Sequence, residues 1–288
     1  MSPSPYADLE RPPLVARSLE RGLLTPGGLW RRLELRTETG STNADVAAAA
    51  RAGEPEGLIV VAEQQLAGRG RRGRDWVSPP RAGLTVSVLL RPGRPVPARD
   101  WPAVPARAFG WLPLLAGAAL RATVEKLTGL DAAVKWPNDL LVATAAGEAK
   151  CAGILAEIVD DAVVLGIGLN VTTRPEELPR APTGLPATSL QAAGAEMTDR
   201  DPLLRSLLRG LAQWYAGWRD TGGDAEMCGL LAAYRQGCAT LGRPVRVLLP
   251  AGDEIAGTVT TVDPDGQLVV RTADGERRVS AGDVVHVR

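Results

Sequence analysis

Between residues 133 and 171 three strand-like runs follow one another with only short turns between them: AVKWPNDLLV, CAGILAEIV and AVVLGIGLNV. Short runs rich in Val, Ile and Leu and bounded by turn residues read as buried strands. Upstream, Leu112, Leu115, Ala116, Ala119, Leu120, Thr123, Val124 and Leu127 recur at intervals of three and four. That spacing predicts an amphipathic helix over 112–128, stopped by Gly129. Strands in succession beside separate helices define an α+β fold, a mixed β-sheet flanked by helices.

The rest of the chain fits around this centre. GLIVVAEQQ (57–65) and LTVSVLL (84–90) add two buried strands, and GSTNADVAAAARAG (40–53) reads as a turn and a helix. Ser41 or Thr42 would cap that helix, Thr42 and Asp45 have capping-box spacing, and Gly53 would end it. Residues 14–36 hold one helix and the start of a strand, too little for a winged helix-turn-helix. A Pro-rich stretch covers 175–186, a helix 202–219 and a shorter helix 224–236. After Gly242 the texture changes to short β-runs separated by PAGD, DPDG and ADG turns, the pattern of a small barrel. The expected division is a partly disordered extension over 1–30, with 1–13 a frayed tail, a main domain over 31–238 and a β-domain over 239–288.

Composition excludes several chemistries. The 33 basic and 33 acidic residues cancel, so no charge excess favours nucleic acid or a membrane surface, and any anion site must be local. The one histidine, His286, leaves no Ser-His-Asp triad, no Cys-His dyad in the main body and no multi-histidine zinc site. Cys151, Cys228 and Cys238 lack metal-binding or redox spacing and read as reduced thiols. With no signal-like segment and no long apolar run, the expectation is a soluble cytoplasmic protein. Lysine is nearly absent, only Lys126, Lys135 and Lys150, with arginine supplying the other basic residues.

Five segments could carry chemistry. AGRGRRGRDW (67–76) alternates Gly68, Gly70 and Gly73 with Arg69, Arg71, Arg72 and Arg74. Such a loop lets successive N–H groups face one concavity, and Gln65, Trp76 and Ser78 flank it. A small-anion site competes here with a solvated basic turn. Helix capping alone accounts for GSTN, and a polar ligand at the helix N-terminus is the alternative. KWPND (135–139) fixes Asn138 and Asp139 at a rigid corner, although Asn and Asp are ordinary turn residues. In KCAGILAEI (150–158), Cys151 has no histidine to activate it and reads as a small core hydrophobe. Lys150 reads as a point charge against a developing anion. Asn170 ends GIGLN, terminating a strand or reaching a ligand hydroxyl.

Taken together, STN, ExQxxGRGRRGRxW, KWPND, KxAGILxE and GIGLNV occur in the order found in the biotin–protein ligases, and residues 36–171 resemble the catalytic domain of that family. The resemblance implies a class II synthetase-like biotin/lipoate ligase fold with an SH3-like C-terminal domain. It implies an enzyme that makes biotinyl-5′-adenylate from biotin and Mg-ATP. The biotinyl group then passes to a lysine of the biotin carboxyl carrier domain of an acetyl-CoA or acyl-CoA carboxylase. Carried over by position, Ser41, Thr42, Asn43, Gln65, Gly68, Arg69, Gly70, Arg71 and Lys150 meet biotin, with Lys150 and Arg69 catalytic. Arg71, Arg72, Arg74, Trp76, Trp136, Asn138 and Asn170 lie on the nucleotide side. Asp139 steers Mg²⁺ or the acceptor lysine, and no dedicated metal site is implied. The arginine loop then reads as a phosphate and carboxylate lid that keeps water from the mixed anhydride.

LLVATAAGEA, between Asp139 and Lys150, is longer than the family's usual hairpin, so the Lys150 assignment rests on KxAGIL. The short N-terminal region implies no operator binding, no specific nucleic acid partner and no membrane, and the expected state is a monomer or weak homodimer. A lipoate or octanoate ligase or transferase of related fold is the nearest rival, but it lacks the GRGRRGRxW loop. A nucleic-acid-binding protein using the arginine patch is disfavoured by the zero net charge, and a biotin-binding regulator would not need Lys150.

Overall fold

The computed structural model describes residues 11–179, 185–250 and 252–287. The larger sheet comprises β1 (Arg32–Arg36), β2 (Leu58–Ala62), β3 (Gly83–Leu90), β4 (Ala132–Lys135), β5 (Asp139–Thr144), β6 (Gly147–Val159) and β7 (Ala162–Asn170). Their order across the sheet is β1-β2-β3-β7-β6-β5-β4. Only β1 and β2 are parallel, and the crossover between them carries helix α2 (Thr42–Arg51). All other neighbours run antiparallel, so the sheet is mixed, as expected.

One of the three predicted strands is in fact a hairpin. AVKWPNDLLV divides into β4 and β5, with Lys135 paired to Asp139 across the Trp136–Pro137–Asn138 turn. Pro137 follows a cis bond and has no N–H to give a ladder, so the run cannot continue straight through it.

Alternation along the strands separates two faces. Val163, Leu165, Ile167 and Leu169 of β7 enter the principal core with α3 (Trp111–Thr128) and α4 (Arg200–Asp220). Val164 turns the other way and packs with Val60 and Leu89 under Val46 and Ala50 of α2. The residues that follow Val164 on that second face, Gly166, Gly168 and Asn170, run out from beneath α2. Helix α3 matches its predicted span and ends at Gly129, whose φ of +69° a residue with a Cβ adopts at a penalty. Helix α5 (Leu230–Gln236) is shorter than expected. The Asp224 carboxylate takes the N–H groups of Glu226 and Met227, folding 224–229 into turns instead.

From Arg11 onward, within the expected extension over 1–30, the N-terminal region packs on the main body. Residues 1–10 lie outside the described residues, but Arg11 is buried and donates to Glu177 and to the Thr172 carbonyl. Leu14 N–H donates to Glu63, which also takes Arg200 at 2.5 Å. Helix α1 (Ala16–Leu23) packs on α4 through Leu19 and Leu23, and the Trp30 indole donates to the Leu208 carbonyl at 2.9 Å. Apolar side chains at helical spacing, with the half-buried Glu177 to receive Arg11 and the buried Glu63 to receive the Leu14 N–H, tie this region to the main body.

The C-terminal strands β8 (Pro244–Leu248), β9 (Glu254–Val262), β10 (Leu268–Thr272), β11 (Gly275–Val279) and β12 (Asp283–His286) form an antiparallel sheet in the order β11-β10-β9-β8-β12. Its valines continue the principal core. The indoles of Trp111 and Trp136 donate across the junction to the carbonyls of Pro264 (2.8 Å) and Gly266 (3.1 Å).

Candidate active site

The exposed part of the second sheet face is paved with glycine. Ser87 lies opposite Gly166, Thr85 opposite Gly168 and Gly83 opposite Asn170, while Gly153 of β6 lies opposite Gly168. A Cβ on Gly166 would sit 2.0 Å from Asn43 Oδ1, and one on Gly168 would sit 2.3 Å from the Trp76 ring. Asn43 and Trp76 therefore rest directly on the sheet. Above this floor is a cleft of about 1180 Å³ that also reaches β12.

The α2 corner forms one wall, and capping does not account for it. Ser41 is extended, with φ −160°, and its hydroxyl makes no cap bond. The Thr42 N–H is taken by Gln65 Oε1 at 2.8 Å, so a side chain from the next segment does the capping. Asp45 takes the Thr39 hydroxyl at 2.6 Å and Arg36 at 3.0 Å, so the capping-box expectation also fails.

The arginine loop forms another wall. Trp76 N–H donates to the Gly68 carbonyl at 2.9 Å and Gly70 N–H to the Arg74 carbonyl at 2.6 Å, closing the loop on itself. Arg71 reaches Asn138 Oδ1 at 3.2 Å, and burial lowers its pKa while Asp283 acts to raise it. Arg74 pairs with Asp283 at 2.9 Å, and Arg72 donates to the Leu249 carbonyl at 2.6 Å. The loop is pinned to the C-terminal sheet.

A β-bulge supplies the central cation. Leu140 pairs with Ala152 but Leu141 with Lys150, which leaves Cys151 as the extra residue of β6. Strict alternation from Gly153 would put residue 151 on the cleft side and residue 150 in the core. The bulge reverses this. Lys150 lines the cleft with Nζ 2.6 Å from Asp139 Oδ1, and Cys151 is fully buried. Burial pushes the Cys151 thiol up to about 12, so at neutral pH it is no nucleophile.

Of the candidates read from sequence, Ser41, Thr42, Asn43, Gln65, Arg69, Gly70, Arg71, Arg74, Trp76, Asn138, Asp139, Lys150 and Asn170 line this one cleft. Three do not. Trp136 is a core residue with its N–H committed to Gly266, Gly68 lies beneath Trp76, and Arg72 turns to Leu249 and Asp283. Asn138 and Asn170 donate to the carbonyls of Ile154 (3.1 Å) and Thr188 (3.0 Å), which orients both amides. Among the described residues nothing accepts from the Trp76 indole N–H.

Sequence reasoning missed several groups. Lys135 is almost buried, 3.7 Å from Asp139, with its pKa lowered by burial. Its rarity among so many arginines was the available signal. Arg243 is held by Glu148 at 2.5 and 2.6 Å and lies 3.3 Å from His286 Nδ1. Burial, reinforced by Lys135 and Arg243, lowers His286 to about 4. Asp283 and Ser87 left no motif-like trace, and Glu157, the last residue of KxAGILxE, stood in the motif without a role. Among the described residues no group of three or more His, Cys, Asp or Glu could hold a metal ion. Asp139, the one carboxylate expected near Mg²⁺, is engaged by Lys150.

A mixed sheet, an arginine-rich loop and a lysine that line one cleft, with a small β-sheet closing its side, form a cationic site suited to an anionic substrate. Residues 40–172 match the Biotin/lipoate A/B protein ligase family, and residues 240–287 match the Biotin protein ligase C terminal domain. The chain is 41% identical over 285 residues to the biotin--[acetyl-CoA-carboxylase] ligase of Mycobacterium tuberculosis, covering 98% of each. It is 31% identical to the bifunctional ligase/repressor BirA of Bacillus subtilis, over 80% of this chain and 66% of that one. Its architecture is similar to that of the Aquifex aeolicus biotin protein ligase in complex with biotin and ATP. That likeness has a TM-score of 0.68 and 24% identity, and spans 90% of this chain and 100% of that one. The chain belongs to the biotin protein ligase family, and its C-terminal sheet is the SH3-like domain of that family.

Proposed function

We propose that this chain is an ATP-dependent ligase that activates biotin as biotinyl-5′-adenylate and transfers the biotinyl group to a lysine of a biotin carboxyl carrier domain. The observation that carries this reading is that Lys150, the arginine loop and the STN corner all line one cleft.

The first step brings a carboxylate against an α-phosphate. Two unit charges at about 4 Å repel by roughly 4 kcal/mol at an effective dielectric of 20, or about three powers of ten in rate. Lys150 and Arg69 supply positive charge where the carboxylate oxygen bonds to phosphorus and the bond to pyrophosphate breaks. Held by protein rather than by water, such charge acts on the transition state at little reorganisation cost. Short hydroxyl and amide side chains at Ser41, Thr42 and Gln65 suit a ureido ring with one carbonyl and two N–H groups. Arg71, Arg74, Trp76, Asn138 and Asn170 are assigned to the nucleotide. Mg²⁺ would arrive with ATP, held largely by phosphate oxygens and water, which fits a cleft in which Asp139, Glu148 and Asp283 already have cationic partners.

In the second step the acceptor amine, having lost a proton, attacks the acyl carbon and AMP leaves. Asp139, beside Lys150, is placed to orient that amine or receive its proton. The closed lid excludes water meanwhile. One chain supplies every group named, so a monomer would suffice. Among the described residues no helix is long and apolar enough to cross a membrane.

The test is pyrophosphate release from Mg-ATP with biotin and with lipoate in parallel, followed by mass spectrometry of a biotin carboxyl carrier domain. Biotin-dependent release and a biotinylated lysine are expected. Activity with lipoate alone would reject the reading.

A further inference from the structure

Beneath the STN corner runs a chain of hydrogen bonds in which two members, Ser87 and Glu157, have no role above. Asn43 lies over Gly166 with both ends of its amide engaged. Nδ2 donates to Glu157 Oε2 at 2.5 Å and to the Leu155 carbonyl at 3.4 Å, while Oδ1 takes the Ser87 hydroxyl at 2.6 Å. A carboxylate and a carbonyl only accept, so the amide nitrogen must face them and its oxygen must face Ser87. Ser87 has one proton, and Asn43 claims it. Only lone pairs of Ser87 then face Thr42 Oγ1, 2.7 Å away.

Gln65 is fixed in the same way. Its Oε1 accepts the Thr42 N–H at 2.8 Å and lies 3.1 Å from the Thr42 hydroxyl. Both neighbours of that hydroxyl are therefore acceptors, and its single proton stays inward whichever of them it meets. Thr42 turns a lone pair to the cleft.

We infer that Glu157 and Ser87 are positioning residues: by fixing the Asn43 amide they make Thr42 a hydrogen-bond acceptor, so the cleft takes a ring N–H donor at that point. In the ligase reading, on which this rests, that donor is a ureido N–H. Glu157 is exposed, and an exposed charge contributes little energy by attraction alone. Its effect is to decide which way round a buried amide stands, and the two bonds downstream follow from that choice.

The test compares Ser87→Ala, Glu157→Leu and Glu157→Gln with the full-length wild type, reading biotin affinity by calorimetry and adenylation by pyrophosphate release. Glu157→Gln can still present a carbonyl to Asn43 and should stay near wild type. Ser87→Ala and Glu157→Leu should weaken biotin binding about tenfold, with kcat and the ATP KM within about two-fold. Methylating one ureido nitrogen of biotin should weaken wild-type binding strongly and Ser87→Ala binding much less, because without the acceptor at 2.7 Å the Thr42 hydroxyl keeps only Gln65 at 3.1 Å and is free to rotate. The inference is overturned if Glu157→Leu binds biotin as wild type does, or if methylation weakens both proteins by the same factor. A wild type that binds biotin but makes no adenylate would reject the ligase reading and leave this result intact; one that binds no biotin rejects both.

Discussion

Lys150 reaches the cleft only because Cys151 is squeezed out of register, and the two neighbours should respond oppositely to substitution. Lys150→Ala is expected to slow adenylate formation by about 100-fold or more without changing the melting temperature, since it removes charge from the transition state and little from the core. Cys151→Ala should keep wild-type turnover, its thiol being buried and held protonated. Burst-phase measurement of pyrophosphate, with calorimetric melting on the same samples, separates the two. His286 adds an acid dependence to that of the arginine-paired carboxylates Glu148, Asp161 and Glu177. Its folded pKa of about 4 lies below its ordinary value, first through burial and then through Lys135 and Arg243. The neutral ring thus contributes stability fully present above about pH 6.5 and lost as pH falls toward 4. Urea midpoints should decline across that window, and less steeply in His286→Gln.

Among elements, the paved face of the sheet and the lid set the limits on change. Gly168→Ala would drive a methyl into the Trp76 ring, and overpacking of this kind costs about 1–3 kcal/mol. Biotin affinity should fall about tenfold or more if Trp76 yields rather than the backbone. The lid's contacts to β12 predict that Asp283→Asn makes the ligand-free loop open more often. Trypsin should then cut within 69–74 about tenfold faster than in wild type, with biotin and ATP together restoring protection. How far sequence foresaw this differs from element to element. Helix α3 was legible because its apolar spacing is long and ends in a glycine. The sheet was legible as strands, but the β4–β5 hairpin was not, because its turn lies inside an apolar run. The cleft residues could be collected from motifs. Their support could not: Ser87 and Asp283 are single polar residues whose role depends on strands paired far along the chain, and Glu157, though part of KxAGILxE, meets Asn43 only once β6 and α2 are packed together. Trp136 is buried away from the cleft lining, because a motif says which residues travel together and not which way each side chain turns.

At the scale of the whole molecule the two sheets share one core, and the cleft lies where they meet. A ligand there touches residues separated by more than two hundred positions, from Ser41 to His286. The N-terminal region joins the same body through Arg11, Glu63 and Arg200, and the loop it grips leads toward the cleft wall at Pro179. The glycines of β6 and β7 add an asymmetry to how such a pocket can be altered. Hydrogen is the smallest possible substituent, so no replacement at those positions can deepen the cavity, and every one makes it shallower. Acceptance of a bulkier ring system would have to come from above, by trimming Trp76 or redrawing the α2 corner. Discrimination against larger acids is thus built in from below by residues that have nothing left to remove.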